Sequence, residues 1–294
     1  MAHTITTIGI VGAGQMGNGI AHVAAQNGFH ATMLDVNPAS LEKALATITK
    51  NMDRQVQKGS LTEAQKTEAM ARLKTTTAMT DLAQCDLVIE AATENEGIKK
   101  KIFTELDAVL KPEALLASNT SSISITRLAA VTKRPDKFIG LHFMNPVPMM
   151  ALVEVIKGLA TTQETYERVM EVAQKMGKTM ATSEDVPGFI VNRLLLPMLN
   201  EACYALQDGV ADVKSIDTAM KLGAGHPMGP LTLADFIGLD TCVAIMRVLH
   251  NELGDSKYRP CPLLVKFVDA GWLGKKSGKG FYDYTDPTNP KPYR

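Results

Sequence analysis

A histidine and a glutamate in the middle of the chain are the side chains best suited to carry out chemistry. His142 and Glu154 lie in two short apolar segments, FIGLHF and ALVEVI, and each segment has the composition of a β-strand. Imidazole changes its charge near neutral pH, and a neighbouring carboxylate stabilises the protonated ring. This pair of residue types therefore predicts a general base that exchanges a proton with a substrate.

A glycine-rich motif near the beginning of the chain predicts a dinucleotide site. Residues 12–17 read GAGQMG, which matches G-x-G-x-x-G, with an apolar strand before it and a helical pattern after it. The first glycine permits a tight turn, the second lets the backbone approach a pyrophosphate, and the third allows close packing of helix on strand. The helix N-terminus then favours the anion. An ordinary βα turn is the alternative. The predicted cofactor contacts are Gly12, Gly14, Gln15, Met16 and Gly17.

Asp35 ends the second predicted strand, ATMLD, and distinguishes between the two nicotinamide cofactors. A carboxylate there can accept hydrogen bonds from the ribose hydroxyls of the adenosine, and it would repel a 2′-phosphate. No arginine follows nearby, so the sequence favours NAD over NADP. A solvated strand end is the alternative. A general base combined with NAD predicts the removal of a proton and a hydride from one alcohol carbon.

Composition narrows the class of protein. The chain has 294 residues, of which 45% are hydrophobic, so it can bury the core of one large domain or of two ordinary ones. Its formal net charge is zero, without the basic excess typical of a nucleic-acid binder. We expect no bound metal, no nucleic-acid partner, no membrane span, and a cytoplasmic protein with reduced thiols. The cysteines are too widely spaced for a C-x-x-C pair: Cys85, Cys203, Cys242 and Cys261.

The two halves of the chain follow different patterns. From about Ile5 strands alternate with helices, and this predicts a doubly wound, mostly parallel α/β sheet of the Rossmann type. Because the first strand begins so early, we expect no targeting segment. One of the helices is expected to run from near Thr62 to Leu73. After DVPGFIVNR the pattern is almost entirely helical, which predicts an all-α domain. We therefore predict an α/β domain at residues 1–184 and a helical domain at residues 185–294.

The segments that could carry chemistry occur together in one known family. They are GAGQMG, SNTSS at 118–122, GLHFMNPVPMM at 140–150, LVEVI at 152–156, DVPGFIVNR at 185–193, KLGAGHPMGP at 221–230 and GKKSGKGFYDY near the end. In this order, from about Ile5 to Tyr284, they closely resemble the L-3-hydroxyacyl-CoA dehydrogenases, and the compact length is most similar to bacterial members that act on the short 3-hydroxybutyryl chain. The resemblance implies an NAD-binding Rossmann-type domain, a helical substrate and dimerisation domain, a homodimer and an acyl-CoA substrate.

The same resemblance implies roles for four residues in the reversible oxidation of (S)-3-hydroxyacyl-CoA to 3-oxoacyl-CoA. His142 matches the family's catalytic base, and Glu154 matches the carboxylate that orients it. Ser121 matches a serine that binds the 3-oxygen of the substrate, and Asn192 matches an asparagine that reaches the substrate from the helical domain. From the residues alone, these side chains could equally be a core histidine, a solvated glutamate, a helix cap and an exposed helical asparagine.

Further cofactor and substrate contacts follow from other positions that match the family. Arg54 and Lys58 resemble a basic stretch that contacts CoA, and their spacing places them one helical turn apart on the same face. A solvated helix face is the alternative for Arg54 and Lys58, and it is also the alternative for Glu94 and Lys99, since charged residues on helices most often face solvent. The positions that match residues on the nicotinamide side of the cofactor site are Glu94, Lys99, Asn119, Asn145 and Lys276.

Two other functions fit parts of this pattern. Relatives that oxidise a sugar acid of the L-gulonate type share the cofactor domain and a similar catalytic set, and they would act without a CoA thioester. A non-catalytic NAD-binding protein is the second alternative, but the presence of Ser121, His142, Glu154 and Asn192 argues against it. The sequence leaves open the direction of the reaction, whether in fatty acid breakdown or in butyrate formation.

Overall fold

The chain divides into two compact units between Val186 and Pro187. The structure is a computed structural model, and it describes residues 4–293. Unit 1, which ends at Val186, combines strands and helices, whereas unit 2, which begins at Pro187, is almost entirely helical. The predicted fold class, a doubly wound α/β domain followed by a helical one, is confirmed.

Among residues 4–186, eight strands form one sheet and six α-helices accompany them. The strands are β1 Thr7–Val11, β2 His30–Leu34, β3 Leu73–Thr76, β4 Leu87–Glu90, β5 Leu115–Ser118, β6 Phe138–Phe143, β7 Leu152–Lys157 and β8 Thr179–Glu184. The helices are α1 Gln15–Gln26, α2 Pro38–Gln57, α3 Glu63–Ala71, α4 Glu96–Val109, α5 Ile125–Ala129 and α6 Gln163–Lys175. The strand order is β3-β2-β1-β4-β5-β6-β7-β8, so the chain reverses its direction of winding between β1 and β4. Ligands bind in the crevice that such a reversal leaves at the carboxyl ends of the strands.

One pair of neighbouring strands in this sheet is antiparallel. β6 and β7 run in opposite directions with His142 directly opposite Glu154, and the other neighbouring pairs are parallel. The connecting segment 144–151 is shorter than the crossover of about a dozen residues that parallel strands need, so it can form only a hairpin loop. The expected alternation of strands and helices is therefore wrong here, although the sheet is mostly parallel as predicted.

The edge strand β3 takes the place of the end of a predicted helix. Thr62 begins α3 with a capping box, in which its hydroxyl accepts from the Gln65 N–H and the Gln65 side chain accepts from the Thr62 N–H. The helix ends at Ala71 because the next segment, LKTT, pairs with β2. Its two threonines are β-branched and favour an extended backbone. The predicted helix end at Leu73 is therefore wrong.

Apolar packing on both faces holds the centre of the sheet. All residues of β4 and of β5 are buried, as expected for parallel strands covered by helices on both sides. Phe103 of α4 packs edge-on against Phe138 of β6, with ring centroids 4.6 Å apart. The backbone at the carboxyl ends of these strands is therefore fixed, and the side chains that follow them are presented from a rigid base.

Unit 2 surrounds a separate apolar core that includes Leu199, Leu231 and Phe267. No helix among residues 4–293 is long and apolar enough to cross a lipid bilayer. The elements of unit 2 are α7 Val191–Gln207, α8 Val213–Gly223, α9 Pro230–Ile237, α10 Leu239–Leu253, α11 Pro262–Asp269 and a hairpin of β9 Tyr282–Asp283 with β10 Lys291–Pro292.

Two buried aspartates fasten the C-terminal segment to the helices of unit 2. Asp235 on α9 is fully buried and accepts hydrogen bonds from the Phe281 N–H, the Tyr282 N–H and the Tyr284 hydroxyl. Asp217 on α8 accepts from the Tyr282 hydroxyl at 2.8 Å. Burial raises the pKa of Asp235 to about 6, because removal of the carboxylate from water outweighs the opposing effect of its hydrogen bonds.

We expect the free energy of unfolding of unit 2 to fall as the pH rises from about 4 to about 7. The folded state keeps the Asp235 proton up to about pH 6, whereas an unfolded chain loses it near pH ~3.9. The folded state thus binds more protons in this window, and ionisation destabilises it by up to about 3 kcal/mol. Urea titrations followed by the fluorescence of Trp272, the single tryptophan of the chain, would measure the effect.

The matched variants separate Asp235 from other titrating groups. Asp235→Asn removes the titration and should flatten the dependence on pH, whatever its absolute stability. Asp269→Asn changes an exposed aspartate of the same unit and should keep the parental slope. Equal slopes in the parent and in Asp235→Asn would show that another group is responsible.

Candidate active site

The cross-strand pair of His142 and Glu154 forms a buried hydrogen bond. The distance between His142 Nδ1 and Glu154 Oε2 is 2.7 Å. Glu154 has no exposed surface, and His142 is 8% exposed. The interpretation of Glu154 as a solvated glutamate is therefore wrong. A carboxylate at this distance fixes the orientation of the ring and stabilises its protonated form.

The glycine-rich turn joins β1 to α1 with the geometry expected of a dinucleotide site. Gly12 has a φ of +102°, which residues with a Cβ rarely adopt. A Cβ at Gly17 would collide with the Gly12 carbonyl oxygen, whereas a Cβ at Gly14 would meet nothing within 4 Å. Gly14 is the N-cap of α1, and no described side chain caps that end. A pyrophosphate could therefore accept hydrogen bonds from the first N–H groups of α1. Met16 is half-buried against the core of unit 1.

Asp35 is the residue that follows β2, and its carboxylate holds the glycine-rich turn in place. Its Oδ2 accepts from the Ala13 N–H at 2.8 Å, and its Oδ1 accepts from the Asn37 N–H at 2.9 Å. Each carboxylate oxygen can accept more than one hydrogen bond, so a diol can still bind to the half-buried side chain. The carboxylate is thus placed beside the turn that would hold the pyrophosphate.

Glu94 organises the turn that carries Ser121. Its Oε1 accepts from the Ser121 N–H at 2.8 Å and from the Ser121 hydroxyl at 2.9 Å, and the Thr120 and Ser122 hydroxyls donate to the same oxygen. The N-cap of α5 is Ser124, which accepts from a backbone N–H of that helix. The interpretation of Ser121 as a helix cap is therefore wrong, and its side chain is turned towards Glu94.

Lys99 is buried, contrary to the interpretation of Lys99 as part of a solvated helix face. It is 1% exposed, and its Nζ lies 2.5 Å from Glu90 Oε2 and 3.8 Å from Glu94 Oε2. Glu90 has no exposed surface and also accepts from the Ser118 hydroxyl at 2.9 Å. Glu90 was not predicted as a site residue, since a glutamate at the end of the apolar run LVIE gives no signal that its carboxylate is buried.

Two asparagines connect the strand ends to the loop at 144–151. Asn119 Oδ1 accepts from the Phe143 N–H at 2.9 Å, which joins the end of β5 to the end of β6. Asn145 Oδ1 accepts from Gln15 Nε2 at 3.0 Å, which joins the loop to the start of α1. From the other side the buried Lys178 ammonium donates to the carbonyls of Val147 and Met150, and burial lowers its pKa. These bonds hold the loop that follows His142.

A cavity of about 400 Å³ lies beside the glycine-rich turn. Its walls are the turn, one face of α2 and the loop residues 145–148. The α2 residues were not predicted, although polar side chains three or four positions apart share a helix face and could have indicated them. These residues are Ser40, Lys43, Thr47 and Asn51.

The other predicted residues lie elsewhere in the structure. Arg54 is exposed near the end of α2 and Lys58 is the exposed C-cap, and neither lines the cavity. In unit 2, Asn192 is the second residue of α7 and is half-buried. Lys276 is exposed, with its Nζ 2.5 Å from Asp240 Oδ1.

The cysteine thiols are poorly suited to chemistry. All four are buried and free, and burial raises the pKa of Cys85 to about 11 and the pKa of Cys242 to about 12. Thiols of high pKa are weak nucleophiles and weak metal ligands at neutral pH. Within residues 4–293, no cluster of three or more histidine, cysteine, aspartate or glutamate side chains could hold a metal ion.

The family of the protein follows from comparison with known proteins. Residues 7–186 match the family model of the NAD binding domain of 3-hydroxyacyl-CoA dehydrogenase, and residues 188–284 match the model of its C-terminal domain. The chain therefore belongs to the 3-hydroxyacyl-CoA dehydrogenase family, a family of NAD-dependent enzymes. The expected family and the expected cofactor, NAD, are both confirmed.

Individual relatives narrow the comparison. The chain is 62% identical over 294 residues to a 3-hydroxybutyryl-CoA dehydrogenase of Bradyrhizobium diazoefficiens, covering 100% of both chains, and 48% identical over 277 residues to that of Clostridioides difficile, covering 94% and 99%. It also resembles a solved (S)-3-hydroxybutyryl-CoA dehydrogenase from Ralstonia eutropha, with a TM-score of 0.93, 52% identity and coverage of 94% and 98%. These relatives do not favour the sugar-acid alternative.

We predict that Asp35→Ala weakens NADH binding by about tenfold or more, because hydrogen bonds to a charged acceptor are lost. NADPH binding should fall less, since the repulsion of the 2′-phosphate disappears at the same time. Asp35→Asn is the matched variant, as it keeps an acceptor for the Ala13 N–H but has no charge. Fluorescence titrations with both cofactors measure the affinities. An unchanged ratio of NADH to NADPH affinity in both variants would contradict the role of Asp35 in recognising the ribose.

Proposed function

We propose that this protein catalyses the reversible, NAD-dependent oxidation of (S)-3-hydroxybutyryl-CoA to acetoacetyl-CoA. The observation that carries the proposal is the 2.7 Å hydrogen bond between His142 and the fully buried Glu154. It supplies a general base in the same unit as the dinucleotide-binding turn. The short acyl chain is taken from the names of the relatives.

His142 moves the proton of the substrate's 3-hydroxyl. Glu154 accepts from Nδ1–H, which selects the tautomer with a lone pair on Nε2. Nε2 takes the hydroxyl proton in the oxidation, and the ring becomes a cation that the buried carboxylate stabilises. In the reduction the same nitrogen returns the proton to the oxygen at C3.

Ser121 and Asn192 bind oxygens of the substrate. The Ser121 hydroxyl donates to Glu94 in the structure, and rotation of the hydroxyl lets it donate instead to the 3-oxygen as charge develops there. Glu94 also holds the Ser121 N–H, so the residue stays in place when its hydroxyl turns. Asn192 supplies an amide from the first turn of α7 to the oxygens of the substrate.

Backbone N–H groups and the carboxylate of Asp35 hold the cofactor. The N–H groups at Gly14 bind the pyrophosphate and Asp35 binds the adenosine ribose, while Asn119 and Asn145 line the nicotinamide side. NAD, when bound, supplies the acceptor for the hydride that leaves C3.

Cations along one side of α2 bind the phosphates of CoA. Lys43 lines the cavity beside the glycine-rich turn, and Arg54 and Lys58 follow at helical spacing that keeps them near the same face. Lys276 forms an ion pair with Asp240 within unit 2, and its contact with the cofactor is proposed from its match to the family alone.

The protein acts in the cytoplasm as a homodimer in which unit 2 forms the interface. The support is the exposure of large apolar side chains on unit 2: Leu194 is 69% exposed, Leu222 is 82% exposed and Phe236 is 60% exposed. A contiguous apolar surface marks contacts between proteins, and in the proposed dimer these side chains belong to one. We expect a dimer in analytical ultracentrifugation at the concentration used for the activity assay. A monomer would show that this interface is absent.

The direct test is the oxidation of NADH with acetoacetyl-CoA, run beside NADPH and beside free acetoacetate. We expect turnover with NADH and the thioester, and little with either of the other combinations. Turnover with free acetoacetate at the same rate would remove the CoA site from the proposal. The absence of turnover with the thioester would overturn the proposed activity.

We expect His142→Gln to bind NADH nearly as the parent does and to lose turnover by a factor of about 10² to 10⁴, because only proton transfer is removed. Steady-state kinetics and a fluorescence titration measure the two quantities separately. His30→Gln, which changes an exposed histidine of unit 1, is the control and should keep parental turnover. If His142→Gln retains turnover within a few-fold of the parent, His142 is not the base.

A further inference from the structure

Three charged side chains at the carboxyl end of β4 form one electrostatic unit. They are Glu90, Lys99 and Glu94, and we call them the β4 trio. We propose that the net charge of the β4 trio sets the relative affinity of the protein for the oxidised and the reduced cofactor. This inference rests on the proposed function, in which the nicotinamide binds beside Ser121.

The first observation is the burial of the ion pair. Glu90 has no exposed surface and Lys99 is 1% exposed, with their charged atoms 2.5 Å apart. Glu90 also accepts from the Ala92 N–H at 2.9 Å and from the Ser118 hydroxyl at 2.9 Å. Well-packed apolar residues often replace such pairs without loss of stability. Stability alone therefore gives a weak reason for two charges at this position.

The second observation is that one ammonium faces two carboxylates. Lys99 Nζ lies 3.8 Å from Glu94 Oε2, while the other oxygen of Glu94 accepts from the turn that carries Ser121. With both glutamates ionised, the β4 trio has a net charge of minus one. The charges of Glu90 and Lys99 cancel, so the excess negative charge lies on Glu94, which is 43% exposed and holds the turn that carries Ser121.

The third observation is the place of the β4 trio in the sheet. The winding reverses between β1 and β4, and a dinucleotide lies across that point with its two halves on opposite sides. Asp35 marks the adenosine side after β2, so β4 and β5 lie under the nicotinamide side. Glu90 is the last residue of β4, and Ser118, which donates to it, is the last residue of β5.

The charge of the nicotinamide ring differs between the oxidised and the reduced cofactor. The ring carries one positive charge when oxidised and none when reduced, whereas the rest of the cofactor keeps its charge. A net negative charge beneath the ring therefore stabilises bound NAD⁺ relative to bound NADH. The β4 trio acts on the cofactor through space, so Glu90 and Lys99 are positioning and tuning residues and need not touch it.

The test varies the charge of the β4 trio by one unit in each direction. Glu90→Gln changes the net charge to zero, Lys99→Met changes it to minus two, and the double variant restores minus one. Dissociation constants of NAD⁺ and NADH are measured by titration calorimetry at pH 8 without substrate. We expect the ratio Kd(NAD⁺)/Kd(NADH) to rise in Glu90→Gln, to fall in Lys99→Met, each by about tenfold at most, and to return to the parental value in the double variant.

The pattern across the variants separates tuning from a structural role. If the β4 trio only holds the strands together, all three variants weaken both cofactors alike and the ratio stays constant, which overturns the proposal. Glu94→Gln changes the same net charge at a side chain that is 43% exposed, so it provides the measurement if a buried variant fails to fold, and its ratio should also rise. An unchanged ratio in Glu94→Gln likewise overturns the proposal. If the parent binds neither form of the cofactor, the proposed function itself fails.

Discussion

The pairing register of β6 and β7 is the constraint on which the candidate active site depends. Side chains alternate between the faces of a strand, so a shift by one residue would turn His142 or Glu154 to the opposite face. Asn119 holds the end of β6, and Lys178 holds two carbonyls of the loop that joins the strands. The antiparallel hairpin of β6 and β7 thus places two side chains from adjacent strands directly opposite each other and in contact.

The two ends of the sheet use buried charges differently. At the amino end, Asp86 accepts from the Thr6 and Thr7 N–H groups and from Lys111. Burial raises the pKa of Asp86, but these hydrogen bonds outweigh burial and the pKa lies well below its usual range. This carboxylate fixes the starts of strands. At the carboxyl end, Glu90 and Glu94 hold the residues that would contact ligands, in keeping with the position of ligand sites in open α/β sheets.

Much of the fold and part of the site could be predicted because local patterns determine them. In the glycine-rich turn each glycine is needed for a separate steric reason, so the motif itself predicts the turn. The pairing of His142 with Glu154 follows from two strand-like segments that flank a short connection. The end of α3 and the edge strand β3 could not be predicted, since the pairing of LKTT with β2 is a long-range contact that overrides the local helical pattern.

The burial of Lys99 and the cavity beside α2 also could not be predicted from the sequence. A lysine in the first turn of a helix has the same pattern whether it faces solvent or a buried carboxylate, and only the end of β4 decides the outcome. Likewise, Lys43 and Asn51 form a polar stripe that fits a solvated face equally well until the loop at 145–148 closes a cavity over it.

The attachment of the C-terminal segment by Asp235 and Asp217 affects the order in which the two units can fold during synthesis. Domains fold as units during synthesis, beginning with the N-terminal one. Every strand of the large sheet precedes Asp185, so unit 1 has its complete set of partners while the ribosome is still adding unit 2. The hydrogen-bond donors to Asp235, on Phe281, Tyr282 and Tyr284, lie 46 to 49 positions after it in the chain and are therefore synthesised later. Asp235 therefore stays without these partners until the nascent chain has grown past Tyr284, and the attachment of this segment is a late step in the folding of unit 2.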